Sequence, residues 1–99
     1  MRKIHEAAVR HALDTVHPSE FGWYPCGFAE VRMPGNTKYA RALARAGIIT
    51  KVYSGTGMRL RFPVLSQSMD YKAALCNEYV KEVAKQVPDF GGYVWTHID

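Results

Sequence analysis

The sequence predicts an α+β domain in which four antiparallel strands and two helices follow a β-α-β-β-α-β, ferredoxin-like order, with one helix ahead of them. Three observations carry this. Apolar and polar side chains alternate with period two over 27–33, 48–54, 58–64 and 91–98. Apolar positions recur with helical period over 2–16, 38–46 and 69–87. Turn chemistry separates them, with "PGN" after the first strand, "SGTG" between the second and third, and prolines after two of the helices. Right-handed crossovers then place both inner helices on one side of the sheet. At 99 residues the chain is one domain, residues 1–99, with the N-terminal helix in 1–17 and the split core in 27–98, because two separate cores would each be too small.

In the first helix, "RKIHEAAVRHALDTV", Ile4, Ala8, Ala12 and Val16 share a face and Pro18 stops it. His5 and His11 share no ligand-like face. Residues 17–26 form a loop rich in Pro, Gly and aromatics. The strand "GFAEVRM" follows. Asn36 or Thr37 then caps the helix "KYARALARA", and Gly47 ends it. Tyr39, Ala40, Leu43 and Ala44 form its buried side. The strands "IITKVYS" and "MRLRFPV" form a hairpin, and Pro63 marks an edge or an end. Ser68 caps the longest helix, with Asp70 in its first turn. That helix carries two apolar stripes, one through Ala73, Cys76, Val80, Val83, Ala84 and Val87, the other through Tyr71, Leu75 and Tyr79. The N-terminal helix is expected on the second stripe. Pro88 closes the long helix, and "GGYVWTHI" is the last strand.

Alternation divides the sheet into two faces. The helix-facing side takes Ala29, Val31, Met33, Ile48, Val52, Met58, Leu60, Phe62, Val94 and Ile98. The open side takes Phe28, Glu30, Arg32, Ile49, Lys51, Tyr53, Arg59, Arg61, Tyr93, Trp95 and His97, a mixture of rings and cations with a single acid.

Composition narrows the function classes. An apolar share of 47% with 22% charged residues is that of an ordinary globular chain, and a formal charge of +4 favours anionic partners. No apolar run reaches the ~20 residues of a membrane span, and Glu6, Arg10 and His11 interrupt any signal-like segment. The expectation is a cytoplasmic protein with reduced thiols and no membrane partner. Two cysteines and four histidines are scattered, so neither metal nor cofactor is expected.

The open face is the first candidate site. Phe28, Arg32, Lys51, Tyr53, Arg59, Arg61, Tyr93 and Trp95 form its contact set, rings for stacking and area, cations for phosphate or carboxylate. The plainer alternative is a solvated face on which Arg59 or Arg61 pairs with Glu30. An RNA-recognition signature is absent, since the third strand reads "MRLRFP". The second candidate is an anion site at Asn36, Thr37, Lys38, Arg41 and Arg45, where a helix N-terminus adjoins a basic stripe. The third is Cys26 as a nucleophile beside a histidine, against which stands its reading as a small apolar group leading into a strand. No catalytic residue is assigned.

The core "PCGFAEV…GNTKYARALARAG…QSMDYKAA" resembles a group of short bacteriophage proteins with no established activity, over about residues 25–85. The resemblance implies a phage-encoded protein made in an infected bacterium, and it brings no site residues. The functional expectation is a non-enzymatic binding protein whose aromatic and basic sheet face engages an acidic surface of a host protein, as inhibitor or modulator. Its alternatives are a single-stranded nucleic-acid-binding module and an enzyme centred on Cys26. A homodimer joined through Tyr71, Leu75 and Tyr79 is a further alternative.

Overall fold

A computed structural model describes residues 1–53 and 55–98. The expected places of Ser54 in the hairpin and of Asp99 at the terminus lie outside the described residues. The elements are α1 (Arg2–Thr15), β1 (Gly27–Met33), α2 (Lys38–Arg45), β2 (Thr50–Lys51), β3 (Met58–Leu60), α3 (Met69–Gln86) and β4 (Tyr93–Ile98), with a 3-10 turn at Pro18–Glu20 after α1. The four strands form one sheet in the order β2-β3-β1-β4, and every neighbouring pair is antiparallel. The fold is thus mixed α+β, an open four-stranded sheet with three helices.

Local chemistry explains the helix ends. The Thr37 hydroxyl accepts from the Ala40 N–H, and the Ser68 hydroxyl accepts from the Tyr71 N–H, each satisfying a donor in a first turn. At the end of α2, Ile48 N–H bonds Leu43 O and Gly47 N–H bonds Ala44 O, with Gly47 at φ +73°. This paired closure needs a left-handed residue, which glycine adopts without a Cβ clash.

Strand β1 occupies its expected range and is the centre of the sheet. It faces α3 with Ala29, Val31 and Met33, all buried. Leu60 and Met58 stand opposite Val31 and Met33, and Val94 stands opposite Val31 on the other flank. Strands β2 and β3 are shorter than the alternation predicts. Pro63 has no N–H to donate to a ladder, and beyond Leu60 the chain leaves the sheet as irregular backbone to Gln67. It returns beside the start of β1, where Gly27 N–H bonds Gln67 O, Met69 N–H bonds Pro25 O, and Cys26 bridges Ser68. Gly27 is required there. A Cβ would sit 2.6 Å from the His97 carbonyl oxygen and 3.2 Å from Met69 Sδ.

The facings expected of the Ile48–Ile49 pair and of Lys51 are corrected, and so is the burial expected of Ile98. Ile49, not Ile48, is the buried member of its pair. Lys51 stands opposite Met58, so β2 presents Lys51 on the helix side and Thr50 on the open side. The reason is length: a two-residue strand takes its phase from the turn after Gly47 and from the demand of the core for Ile49, not from a seven-residue alternation. Ile98 keeps the helix-side phase but is 63% exposed, because it lies opposite Gly27 at the sheet end, past the cover of α3.

The core centres on α3. Tyr71, Leu75, Cys76, Tyr79 and Val83 are buried. Phe62 and Phe90 meet Tyr79 edge-on, and Phe90 also meets Tyr39 from α2 at 5.3 Å between ring centroids. Each such ring contributes about 1.5–3 kcal/mol on full burial. Helix α1 lies along α3. His5 Nδ1 is 2.8 Å from the Tyr79 hydroxyl, which in turn hydrogen-bonds the Tyr39 hydroxyl. Phe21, in the loop after α1, tilts against Tyr71. The stripe Tyr71, Leu75, Tyr79 is therefore covered within the single chain, and the surface required for dimerisation through it is already used.

Candidate functional site

The antiparallel register of β1 and β4 builds the open face row by row. Phe28 stands opposite His97, Glu30 opposite Trp95, and Arg32 opposite Tyr93. On the other flank of β1, Arg59 stands opposite Arg32, and Arg61 follows just past the end of β3. Six residues of the expected contact set are thus gathered here: Phe28, Arg32, Arg59, Arg61, Tyr93 and Trp95. Lys51 is on the other side of the sheet, and Tyr53 lies past β2 in a turn, 96% exposed, outside any strand.

Glu30 organises this face. Its side chain has no exposed surface. Oε2 accepts from Arg32 Nε at 2.9 Å and Oε1 accepts from Arg61 Nε at 3.0 Å. A carboxylate removed from water is tolerated only when paired and hydrogen-bonded, and here each oxygen holds its own guanidinium. Both arginines bond Glu30 through Nε. Arg32 also lies 3.8 Å over the Trp95 ring, and His97 stacks nearly parallel to the same indole, at 5.7 Å and 8°. Arg61 and the Lys72 ammonium approach the Phe28 ring at 5.6 and 5.4 Å. Such cation–ring contacts contribute about 0.5–2 kcal/mol each, according to desolvation.

The face therefore has a fixed interior and an available rim. Trp95 is half-buried and engaged, while Tyr93 and Phe28 are 55% and 41% exposed. Arg59 makes no ion pair among the described residues and stands opposite Arg32, whose charge Glu30 already offsets. Depressions mark both ends. One, of about 330 Å³, is lined by Arg32, Asn36, Thr56, Gly57 and Tyr93 among others. The other, of about 300 Å³, is lined by Cys26, Phe28, Ser66, Gln67 and Lys72 among others.

The α2 candidate is divided. Asn36 joins the first depression. Thr37 spends its hydroxyl oxygen on the Ala40 N–H. Lys38, Arg41 and Arg45 are exposed and unpaired among the described residues, a solvated stripe opposite the buried Tyr39, Ala40 and Leu43.

Cys26 has no histidine among its hydrogen-bond partners. Its half-buried thiol lies 3.6 Å from the Trp23 carbonyl and 3.6 Å from Gln67 Oε1. No histidine–thiol pair forms there among the described residues, and Lys72 lines the same depression. Cys76 is fully buried, and burial pushes its thiol up to about 12, with Glu30 adding and Lys72 opposing. No group of three or more His, Cys, Asp or Glu side chains is placed to hold a metal among the described residues. No helix among them is long and apolar enough to cross a membrane.

Two features of the surface escape pattern analysis. Trp23 and Tyr24, in the loop before β1, are 72% and 76% exposed and meet edge-to-face at 6.0 Å. Leu65, in the irregular segment beside Cys26, is fully exposed. Both lie in loops without periodicity, and the only available signal is the presence of large apolar residues, "GWYP" and "VLSQ", in turn-rich sequence. Comparison with protein-family models, with curated proteins and with solved structures finds no match to this chain.

Proposed function

We propose that this chain is a small non-enzymatic binding protein that docks the outer face of its sheet onto an acidic surface of a protein partner. The observation that carries this is the buried Glu30 holding Arg32 and Arg61 by their Nε atoms. Arginines fixed in advance lose little side-chain freedom on binding, and exposed Tyr93, Phe28 and unpaired Arg59 supply the residue types that dominate interface energetics. Steering by the basic face would add to the association rate. Single-stranded nucleic acid is served less well, because base stacking needs free ring faces and Trp95 already carries Arg32 and His97.

The element order and the strand order β2-β3-β1-β4 support a ferredoxin-like architecture with an added N-terminal helix. In line with the sequence resemblance, the chain is read as phage-encoded and its partner as a cytoplasmic host protein that it inhibits or modulates.

The test is affinity capture from nuclease-treated bacterial lysate with the wild type, Arg59→Glu and Tyr93→Ala. Neither residue hydrogen-bonds Glu30, and both stand opposite Arg32, so retention of the fold is checked for each variant by circular dichroism. One stoichiometric protein retained by the wild type and lost with both variants supports the reading. Retention unchanged by either variant removes this face from the interface. A single-stranded oligonucleotide bound with steep salt dependence moves the assignment to nucleic acid.

A further inference from the structure

The two edges of the sheet differ in kind. One is β2, two residues long and carrying Lys51. The other is β4, six residues long. A free edge offers unpaired N–H and C=O groups to any strand that meets it, and proteins blunt it with short strands, lysine, proline or a bulge. Strand β2 is both short and charged. Strand β4 has none of these defences. It holds no Lys, Arg, Asp, Glu, Pro or Gly, and its successive positions pair one-to-one with β1, so no bulge turns it away.

The outer side of β4 is open. Alternate residues of an edge strand direct N–H and C=O away from their neighbour. No backbone group of β4 bonds backbone beyond β1 among the described residues. Helix α3 stops short of this edge, since Thr96 and Ile98, on its side of the sheet, are exposed.

The occupant follows from the strand itself. Residues directly opposite each other in an antiparallel pair point to the same side. Turning a second β4 about a two-fold axis through Trp95 sets Tyr93 against His97 and Val94 against Thr96, with Trp95 against its own copy. Rings meet rings on the open side, β-branched side chains meet on the helix side, and no charge meets its like. A foreign peptide lacks this match, and no helix overhangs the edge to make a groove that would select its side chains.

We propose that this chain forms a symmetric dimer by antiparallel pairing of β4 with the β4 of a second copy, giving one sheet of eight strands, four from each copy. The axis is perpendicular to the sheet, so the two open faces lie side by side on one surface. The assembly closes at two chains, because the edges left over are the two blunted β2 strands. The proposal rests on the β4 edge and not on partner binding, and no partner enters its test.

A single strand edge is a smaller contact than the about 800 Å² per partner of a stable complex, so the dimer is weak, with a Kd on the order of 0.1 mM. Sedimentation equilibrium of the full chain from about 0.01 to 1 mM should pass from monomer to dimer and no further. Over the same range the fast-exchanging alternate amides of β4 should become protected. In a mixture of isotope-labelled and unlabelled chains, nuclear Overhauser contacts should join the Val94 methyls of one copy to the Thr96 methyl of the other. Thr96→Lys sets a charge on the exposed edge, opposite Ala29 and on the helix side, and should weaken the dimer about tenfold or more. The wild-type measurements stand whether or not that variant folds. A chain monomeric throughout the range, Val94 contacts to Ile98 of the second copy in place of Thr96, or a dimer indifferent to Thr96→Lys would overturn the proposal.

Discussion

The Tyr79 hydroxyl lies 2.8 Å from His5 Nδ1, across the contact between the first and the longest helix. Both partners are buried, and Tyr79 also hydrogen-bonds the Tyr39 hydroxyl, which has no other partner among the described residues and so places its proton on the Tyr79 oxygen. The chain of donors therefore has an end and a middle, and the two respond differently to deletion. Tyr39→Phe removes the terminal donor and leaves the Tyr79–His5 bond intact, at an expected cost near 1 kcal/mol. Tyr79→Phe strands two buried groups at once, at about 1–3 kcal/mol for each. Urea unfolding of the two variants should show the larger loss for Tyr79→Phe; equal losses would contradict the proton order Tyr39 to Tyr79 to His5.

Burial holds the His5 imidazole below its usual 6.5, with Glu6 opposing and Arg2 reinforcing the shift. The unfolded chain takes up a proton near pH 6.5 that the folded chain refuses. Stability is therefore full above that pH and falls as pH drops through the folded value. Glu78 and Glu82 are held below their usual 4.5, chiefly by the hydrogen bonds from Lys81 and Lys85, and their contribution is lost only under more acid conditions. Urea midpoints from pH 8 to 5 should decline in the wild type and flatten in His5→Asn. A wild type without slope in this window would refute the coupling.

Glu30 binds two arginines, and the pair is expected to act as a unit. Arg32→Met or Arg61→Met alone leaves one guanidinium on the carboxylate. The double substitution leaves a buried carboxylate without a counter-charge, at about 3–5 kcal/mol. The loss in the double variant should exceed the sum of the single losses in a denaturation cycle, whereas additive losses would show that water reaches Glu30.

The two cysteines should separate cleanly by reactivity. Cys26 is half-buried, with a carbonyl and an amide oxygen as its hydrogen-bond partners among the described residues, while Cys76 is buried with its thiol pushed up to about 12. In native protein one thiol should react with an aromatic disulfide reagent, at the rate of an unactivated thiol, and the second only on unfolding. A Cys26 rate well above that of a free thiol would restore the enzyme alternative.

Gly27→Ala places a methyl group against the His97 carbonyl, at a distance no real Cβ tolerates. Strands β1 and β4 must part at that end, and a destabilisation of about 1–3 kcal/mol is expected. Thermal unfolding reads it, and an unchanged midpoint would mean that the sheet end gives way freely.

Much of this was legible before the structure. Strand β1, a cap at Asn36 or Thr37 that the structure gives to Thr37, the cap at Ser68, the closure at Gly47 and the facings of Tyr93, Trp95 and His97 follow from local rules: period, capping side chains and left-handed glycine. What was missed depends on neighbours distant in sequence. Alternation told which side Glu30 faces but not its depth, since Arg32, Arg61 and Trp95 arrive from three strands or their extensions to cover it. Nothing local marks His5 for burial; its partner Tyr79 lies 74 positions away. Phe90, alone in a turn between Asp89 and Gly91, has no periodicity to declare it a core residue, although it is almost wholly buried. The inverted phase of β2 has the same origin, a strand too short to set its own facing.

The segment from Arg61 to Gln67 has one more consequence. It is irregular and carries a fully exposed Leu65, yet Gly27 and Met69 pin its far end by backbone hydrogen bonds. A single protease cut at Leu65 divides the chain into 1–65, with α1, β1, α2, β2 and β3, and 66–99, with α3 and β4. The most extensive contacts of the molecule, β1 with β4 and α1 with α3, both join the two pieces. The chain is thus two interlocking fragments that a peptide bond merely keeps together, and each half supplies the surface the other needs to fold.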